Sequence, residues 1–198
     1  MLINLAVSLI GALIFLFLFW RRLKEDYSSN VLFTTGFFVI FGIAIGVLIS
    51  LRFSPLWWFW LAGVGVVIGF FVGYLKFKFR TFEVLEALFV STLPWLILIF
   101  LYDSISKSSL ISLLFSILIV AVIALFYWLD ASYKNFLWYK SGRVGFAGLM
   151  SMGVLFLIRA TIASFLGNML SFVGVFEVVI SGISAFIAFL LLFNLSKQ

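Results

Sequence analysis

Seven stretches of this chain are each about as long as a bilayer is thick and almost free of charge. They run approximately over Leu2–Trp20, Val31–Leu51, Leu56–Leu75, Val84–Tyr102, Leu110–Leu129, Val144–Phe165 and Phe172–Leu195. A helix rises 1.5 Å per residue, so roughly 20 apolar residues cover a hydrocarbon core about 30 Å thick. The expected fold is therefore all-α: a polytopic helical membrane protein with seven transmembrane helices in one domain, residues 1–198. The fourth span carries Glu83 and Glu86 at its start and Pro94 inside it, where a missing backbone donor predicts a kink that neighbouring helices can absorb.

Composition excludes a soluble globule. The chain is 66% hydrophobic and 10% charged, with mean hydropathy +1.33, whereas soluble domains carry about a quarter charged residues. There is no Cys and no His, which removes disulfides, thiolate or imidazole metal sites, His-based nucleophilic dyads and the usual neutral-pH proton shuttle. Chemistry is left to Arg, Lys, carboxylates, Tyr and Ser, and no cofactor or metal is expected. The formal charge of +6 does not point to nucleic acid, because the basic residues sit in short loops between apolar runs. The first run has no basic residue before it and no small-residue cleavage site after it, so it is expected to be a retained span.

Orientation follows from the positive residues, which favour the cytoplasmic side. Arg21, Arg22 and Lys24 follow the first span, Lys76, Lys78 and Arg80 the third, Lys134, Lys140 and Arg143 the fifth, and Lys197 the seventh. The alternate loops hold only Arg52 and Lys107. The N-terminus is thus expected outside and the C-terminus in the cytoplasm. Trp57, Trp58 and Trp60 at one interface, and Trp128, Trp138 and Tyr139 at the other, read as aromatic belts. No loop is long enough for a soluble domain.

Arg159 interrupts the sixth span. A guanidinium deep in a bilayer costs roughly 2.5–3.5 kcal/mol on insertion scales, so such a residue faces the interior, pairs, snorkels or handles an anion. It lies roughly 22 Å along the span, in the outer third. Glu177, in the antiparallel seventh span beyond the short link Leu166–Ser171, reaches a similar depth and is the natural ion-pair partner. The competing role for Arg159 is to hold a lipid phosphate, which guanidinium matches bidentately. Arg52, at the outer end of the second span, is a second phosphate-binding candidate or an anchor. Gly63, Gly65, Gly69 and Gly73 form a small-residue face that admits another helix or an acyl chain, and Gly42 and Gly46 repeat the spacing in the second span. The run Lys76–Arg80, KFKFR, reads as a topology signal that can also meet anionic headgroups. Asp103 and Lys107 are expected in an outer loop, and Glu83, Glu86 and Asp130 at inner helix ends where they are cheaply solvated. The seventh span contains no Lys, which excludes a retinal Schiff base.

Three stretches carry a family resemblance. WRRLKEDYSSNVLFTTGFFVIFGIAIG (Trp20–Gly46), FWLAGVGVVIGFFVGYLKFKFRTFEVLEALFVSTLP (Phe59–Pro94) and FLWYKSGRVGFAGLMSMGVLFLIRATIA (Phe136–Ala163) resemble, in order and spacing, the prolipoprotein diacylglyceryl transferases. These are seven-span bacterial enzymes with an outside N-terminus. The resemblance implies a bacterial cytoplasmic (inner) membrane location, phosphatidylglycerol as lipid partner, a prolipoprotein signal peptide as second partner, and Arg159 as the family's essential Arg. Glu86 stands where the family commonly has Asp. The chain departs from the family elsewhere: its His-Gly-Gly element falls on Leu61-Ala62-Gly63, its Gly-Arg-x-Gly-Asn-Phe signature on the apolar Trp95–Tyr102, and the Tyr and Glu flanking the essential Arg on Leu155 and Ala163. Three readings follow: a divergent transferase with Arg159 as catalytic cation, a noncatalytic lipid-binding or assembly protein of the same fold, or a small transporter.

Overall fold

The computed structural model describes residues 2–136, 139, 145–165 and 171–197. Among them are seven α-helices and no strands: α1 (Leu2–Leu23), α2 (Ser29–Phe53), α3 (Trp58–Phe77), α4 (Thr81–Lys107), α5 (Leu110–Ser132), α6 (Phe146–Phe165) and α7 (Val175–Ser196). Each is long and apolar enough to cross a membrane. The protein is an all-α, multi-pass membrane protein. Its surface is apolar where its helices face outward, as at Leu13, Phe41, Leu48, Leu114 and Phe186; in lipid these side chains meet acyl tails and need no protein partner.

The helices alternate in direction. The ends of α1 and α5 meet the starts of α4 and α6 at one face, which carries Arg21, Arg22, Lys24, Lys76, Lys78, Arg80 and Lys134 and is here termed the basic end. The start of α3 meets the end of α6 and the start of α7 at the opposite end. Lys140, Arg143, Trp138, Val144 and most of the Leu166–Ser171 link lie outside the described residues.

α4 is the central helix, packed against α1, α5 and α6. It runs without interruption through Pro94 and continues to Lys107, so Asp103 and Lys107 belong to its last turns and not to a loop. Asp103 is buried, accepts from Ser112 Oγ at 2.5 Å and pairs with Lys107 Nζ at 2.8 Å. The turn closes on Ser108 in the left-handed region (φ 49), and Ser109 caps α5 by accepting from the Ser112 N–H. α7 starts at Val175, three residues later than the apolar run suggests. Gly174, at φ 60, turns the chain there, and Phe172 before it is buried in the core.

The closest approach is between α2 and α3. A Cβ built on Gly65 would lie 2.1 Å from the Gly42 carbonyl oxygen, one on Gly46 2.1 Å from that of Leu61, and one on Gly69 2.6 Å from Phe38 O. Gly73 meets Thr35. The glycine face is therefore filled by a helix backbone. Gly63 lies off it, with nothing within 4 Å of a built Cβ. Within the KFKFR run, Lys78 ends α3 at φ 51, and Phe79 turns inward, 6% exposed, against Tyr27, Phe70 and Tyr74.

This packing makes a discriminating prediction. Gly65→Val forces the α2 and α3 backbones apart and should lower stability by about 1–3 kcal/mol, whereas Gly63→Ala should be neutral or add up to about 1 kcal/mol through helix propensity. Thermal unfolding in detergent checks both, and equal effects would contradict the assigned face.

Candidate functional site

Two polar clusters are built into the bundle, one near each end. The first centres on Arg159. Buried residues on α6 recur as Gly148, Ser151, Leu155, Arg159 and Ala163, at intervals of three and four, so helical periodicity turns Arg159 inward. On α7 the same logic turns Glu177, Ser181, Ala185 and Ala188 inward. The guanidinium and carboxylate meet at 2.6 Å with 1% and 0% exposure, respectively.

The guanidinium fork is almost fully used. Nε and Nη2 donate to Glu177 Oε1 at 2.9 and 2.6 Å, Nη2 also to the Ser171 carbonyl at 3.1 Å, and Nη1 to Ser171 Oγ at 3.2 Å. Glu177 is equally committed: Oε1 also accepts from Ser181 Oγ at 2.8 Å, and Oε2 accepts from Trp60 Nε1 at 2.8 Å. Rings close the remaining faces. Arg159 Cζ lies 3.7 Å from the Phe59 centroid, 5.0 Å from Phe172 and 5.7 Å from Phe115. Burying two ions costs several kcal/mol each, offset only when geometry is good and the other polar atoms are bonded, and cation–π contacts strengthen as water is excluded. Every one of these conditions is met here.

The cluster joins four helices, α3, α6 and α7 together with α5 through Phe115. α3 supplies Phe59 and Trp60 at its start, so Trp60 is a partner of Glu177, stacked on Phe156 of α6, and not a free belt residue. Its role has a weak sequence signal, since a Trp at a span start resembles an interfacial anchor. Trp128 stays exposed, but Tyr139 is buried against Phe146. Arg52 lies at the same end as Arg159, exposed in the last turn of α2, and makes no hydrogen bond or ion pair with a described residue. The glycine face of α3 serves α2 and does not line the Arg159 cluster.

The second cluster corrects the expectation of solvated helix-end acids. Arg22, one residue from the end of α1, donates through Nη2 to Glu86 Oε1 at 2.7 Å and to Asp130 Oδ1 at 3.0 Å, and through Nη1 to Asp130 Oδ2 at 3.1 Å. Glu86 is 6% exposed and Asp130 8%. Glu86 Oε2 accepts the backbone N–H groups of Gly145 at 3.0 Å and Gly148 at 3.4 Å. Glycine is needed at both: Gly145 sits at φ 81, and a Cβ on Gly148 would lie 2.6 Å from Glu86 Cγ. This cluster ties α1, α4, α5 and the start of α6. Beside it the Tyr27 hydroxyl donates to Glu83 Oε2 at 3.2 Å and accepts from the Arg80 N–H at 3.0 Å. Burial pushes its phenol above the ordinary tyrosine value, with the Glu83 carboxylate adding to the shift and Arg80 opposing it.

Comparison with protein-family models, with curated proteins and with solved structures gives no match.

The ion pair sets a stability prediction. Glu177→Ala leaves a buried guanidinium without its counter-ion and should cost about 3–5 kcal/mol, while the double change Arg159→Met with Glu177→Met should cost much less or nothing. Unfolding of both variants in detergent measures this. Equal losses in the two would show that the pair does not act as a unit.

Proposed function

We propose that this chain is a divergent, prolipoprotein diacylglyceryl transferase-like protein of the bacterial cytoplasmic membrane. It engages phosphatidylglycerol in the outer leaflet through Arg159. The observation that carries this reading is a lone buried guanidinium in the sixth span, held in an aromatic enclosure and paired with a carboxylate that a phosphate can replace. Guanidinium binds carboxylate and phosphate with the same two-point geometry. When phosphate takes that place, the rings of Phe59, Phe172 and Phe115 continue to stabilise the cation. Glu177 keeps its bonds to Trp60 and Ser181. Arg52, exposed at the same end, adds a second positive charge along the path of an anionic headgroup.

In the transferase form of this reading, the displaced Glu177 carboxylate takes the proton of a lipobox Cys thiol. The thiolate attacks the glyceryl CH2 that bears the phosphate. A thioether C–S bond forms, the C–O bond breaks, and glycerol phosphate leaves with the electron pair, its charge held by Arg159. The noncatalytic form is favoured by a specific observation: Arg159 and Glu177 are 1% and 0% exposed, so the pair is closed to a second substrate. In that form the chain binds the lipid, or assembles around it, without transfer.

One preparation tests both forms. The protein is reconstituted with phosphatidylglycerol and a Cys-containing lipobox peptide, with retained lipid read by native mass spectrometry and the thioether product by peptide mass. Arg159→Gln should reduce retained phosphatidylglycerol roughly ten-fold or more. Retention with a thioether product identifies the transferase, and retention without it the noncatalytic form. Unchanged retention in a folded Arg159→Gln variant rejects the reading.

A further inference from the structure

Arg159 and Glu177 are enclosed, yet one wall of the enclosure belongs to a hairpin that is fastened unevenly. α2 and α3 hold each other by backbone contact at Gly42, Gly46, Gly65 and Gly69, and so form one body. Near the basic end this body is rooted. Leu32 and Val39 of α2 and Phe70 of α3 share a core with Phe19 of α1 and Leu88 of α4, and the Arg80 N–H beyond α3 donates to the Tyr27 hydroxyl at 3.0 Å.

At the other end α3 meets α6 and α7 through its first turn. Trp57 packs on Phe176, Phe59 covers the Arg159 guanidinium, and Trp60 stacks on Phe156 while its indole N–H donates to Glu177 at 2.8 Å. Beyond that turn α3 does not pack along α6 or α7. Val64 and Val67 follow Trp60 on the same side of the helix and are 54% and 49% exposed. A Cβ built on Gly63, or on Gly182 of α7, meets no neighbouring element within 4 Å. The hairpin is thus rooted at one end, latched at the other and unpacked between. A body held in this way opens at the latch, where the fewest contacts must break.

We propose that the α2–α3 hairpin is a lid over Arg159 and Glu177. It swings about its root, so that its tip leaves α6 and α7 and the ion pair faces the bilayer between α3 and α7. Trp60 is the latch. Trp57 and Phe59 offer ring contacts, whereas the Trp60 indole makes a directional, charge-assisted bond to Glu177. In its purpose the lid rests on the reading of Arg159 as a phosphate site, since a pair at 1% and 0% exposure admits a lipid only when the tip is lifted; the motion itself does not rest on that reading.

The chain has no Cys, so a single introduced thiol reports its own exposure, and its modification rate follows the open population. Ser181→Cys places a thiol at a fully buried position one turn from Glu177, and Ser151→Cys places one at an equally buried position on α6, two turns from Arg159 toward the basic end. Each protein, in phosphatidylcholine nanodiscs, is treated with N-ethylmaleimide. Trp60→Phe keeps a ring and removes the donor. It should raise the Ser181→Cys rate about ten-fold, the order of one hydrogen bond to a charged group, and leave the Ser151→Cys rate unchanged. With Trp60 intact, tethering the tip through thiols at Trp57→Cys and Phe176→Cys, whose native rings lie 6.3 Å apart, should suppress Ser181→Cys modification about ten-fold until the tether is reduced. Equal rises at both buried positions, no rise at Ser181→Cys, or a rate indifferent to the tether would each overturn the lid. Neither rate depends on phosphatidylglycerol. Retention of that lipid with an unresponsive Ser181→Cys rate therefore overturns the lid alone, whereas a responsive rate in protein that retains none supports the lid and removes the lipid assignment.

Discussion

A guanidinium and a carboxylate brought together inside seven apolar helices set the terms for much of this structure. In hydrocarbon neither ion has water to fall back on, and each attracts every donor or acceptor within reach. Arg159 and Glu177 draw in Ser171, Ser181 and Trp60, and with them the start of α3, the end of α6 and the turn before α7. Arg22, Glu86 and Asp130 do the same at the other end for α1, α4 and α5. Between apolar helices in lipid there is little hydrophobic preference for one arrangement over another. These polar pins supply much of the directionality that an all-apolar bundle lacks.

Steric fit supplies the rest. α2 and α3 have no charged pair between them and are held by backbone proximity at Gly42, Gly46, Gly65 and Gly69. Because α3 gives its glycine face to α2 and its Phe59–Trp60 turn to Arg159, one helix links the two kinds of packing. The pairing α2 with α3, and α6 with α7, leaves α4 to connect them through α1, α5 and α6.

The seven helices were legible from hydropathy alone, since length and continuous apolarity need no tertiary information. The Arg159–Glu177 pairing was legible too, because depth and an antiparallel hairpin place both at one level. The Arg22 network was not. Its partners lie 64 and 108 residues away in sequence, and an acid near a helix end is solvated or buried according to which helices surround it. Hydropathy reports depth and carries no information about azimuth. Gly148 was the available hint, a small residue inside an inward stripe, but its meaning required knowing that Glu86 faced it. Asp103 was misplaced for a related reason: a charge ends an apolar run without ending a helix, and α4 continues to Lys107.

The order of synthesis gives the Arg159 pair one more consequence. Arg159 leaves the ribosome before Glu177, so α6 presents an unpaired guanidinium to the insertion machinery while its counter-charge is still being made. At a cost of roughly 2.5–3.5 kcal/mol for a lone Arg near a helix centre, α6 is a reluctant solitary passenger. The carboxylate that relieves it sits in the first turn of α7, and the tryptophan that steadies that carboxylate has already been delivered on α3. Glu177 on α7 thus completes the burial of Arg159 on α6, against a turn already laid down at the start of α3.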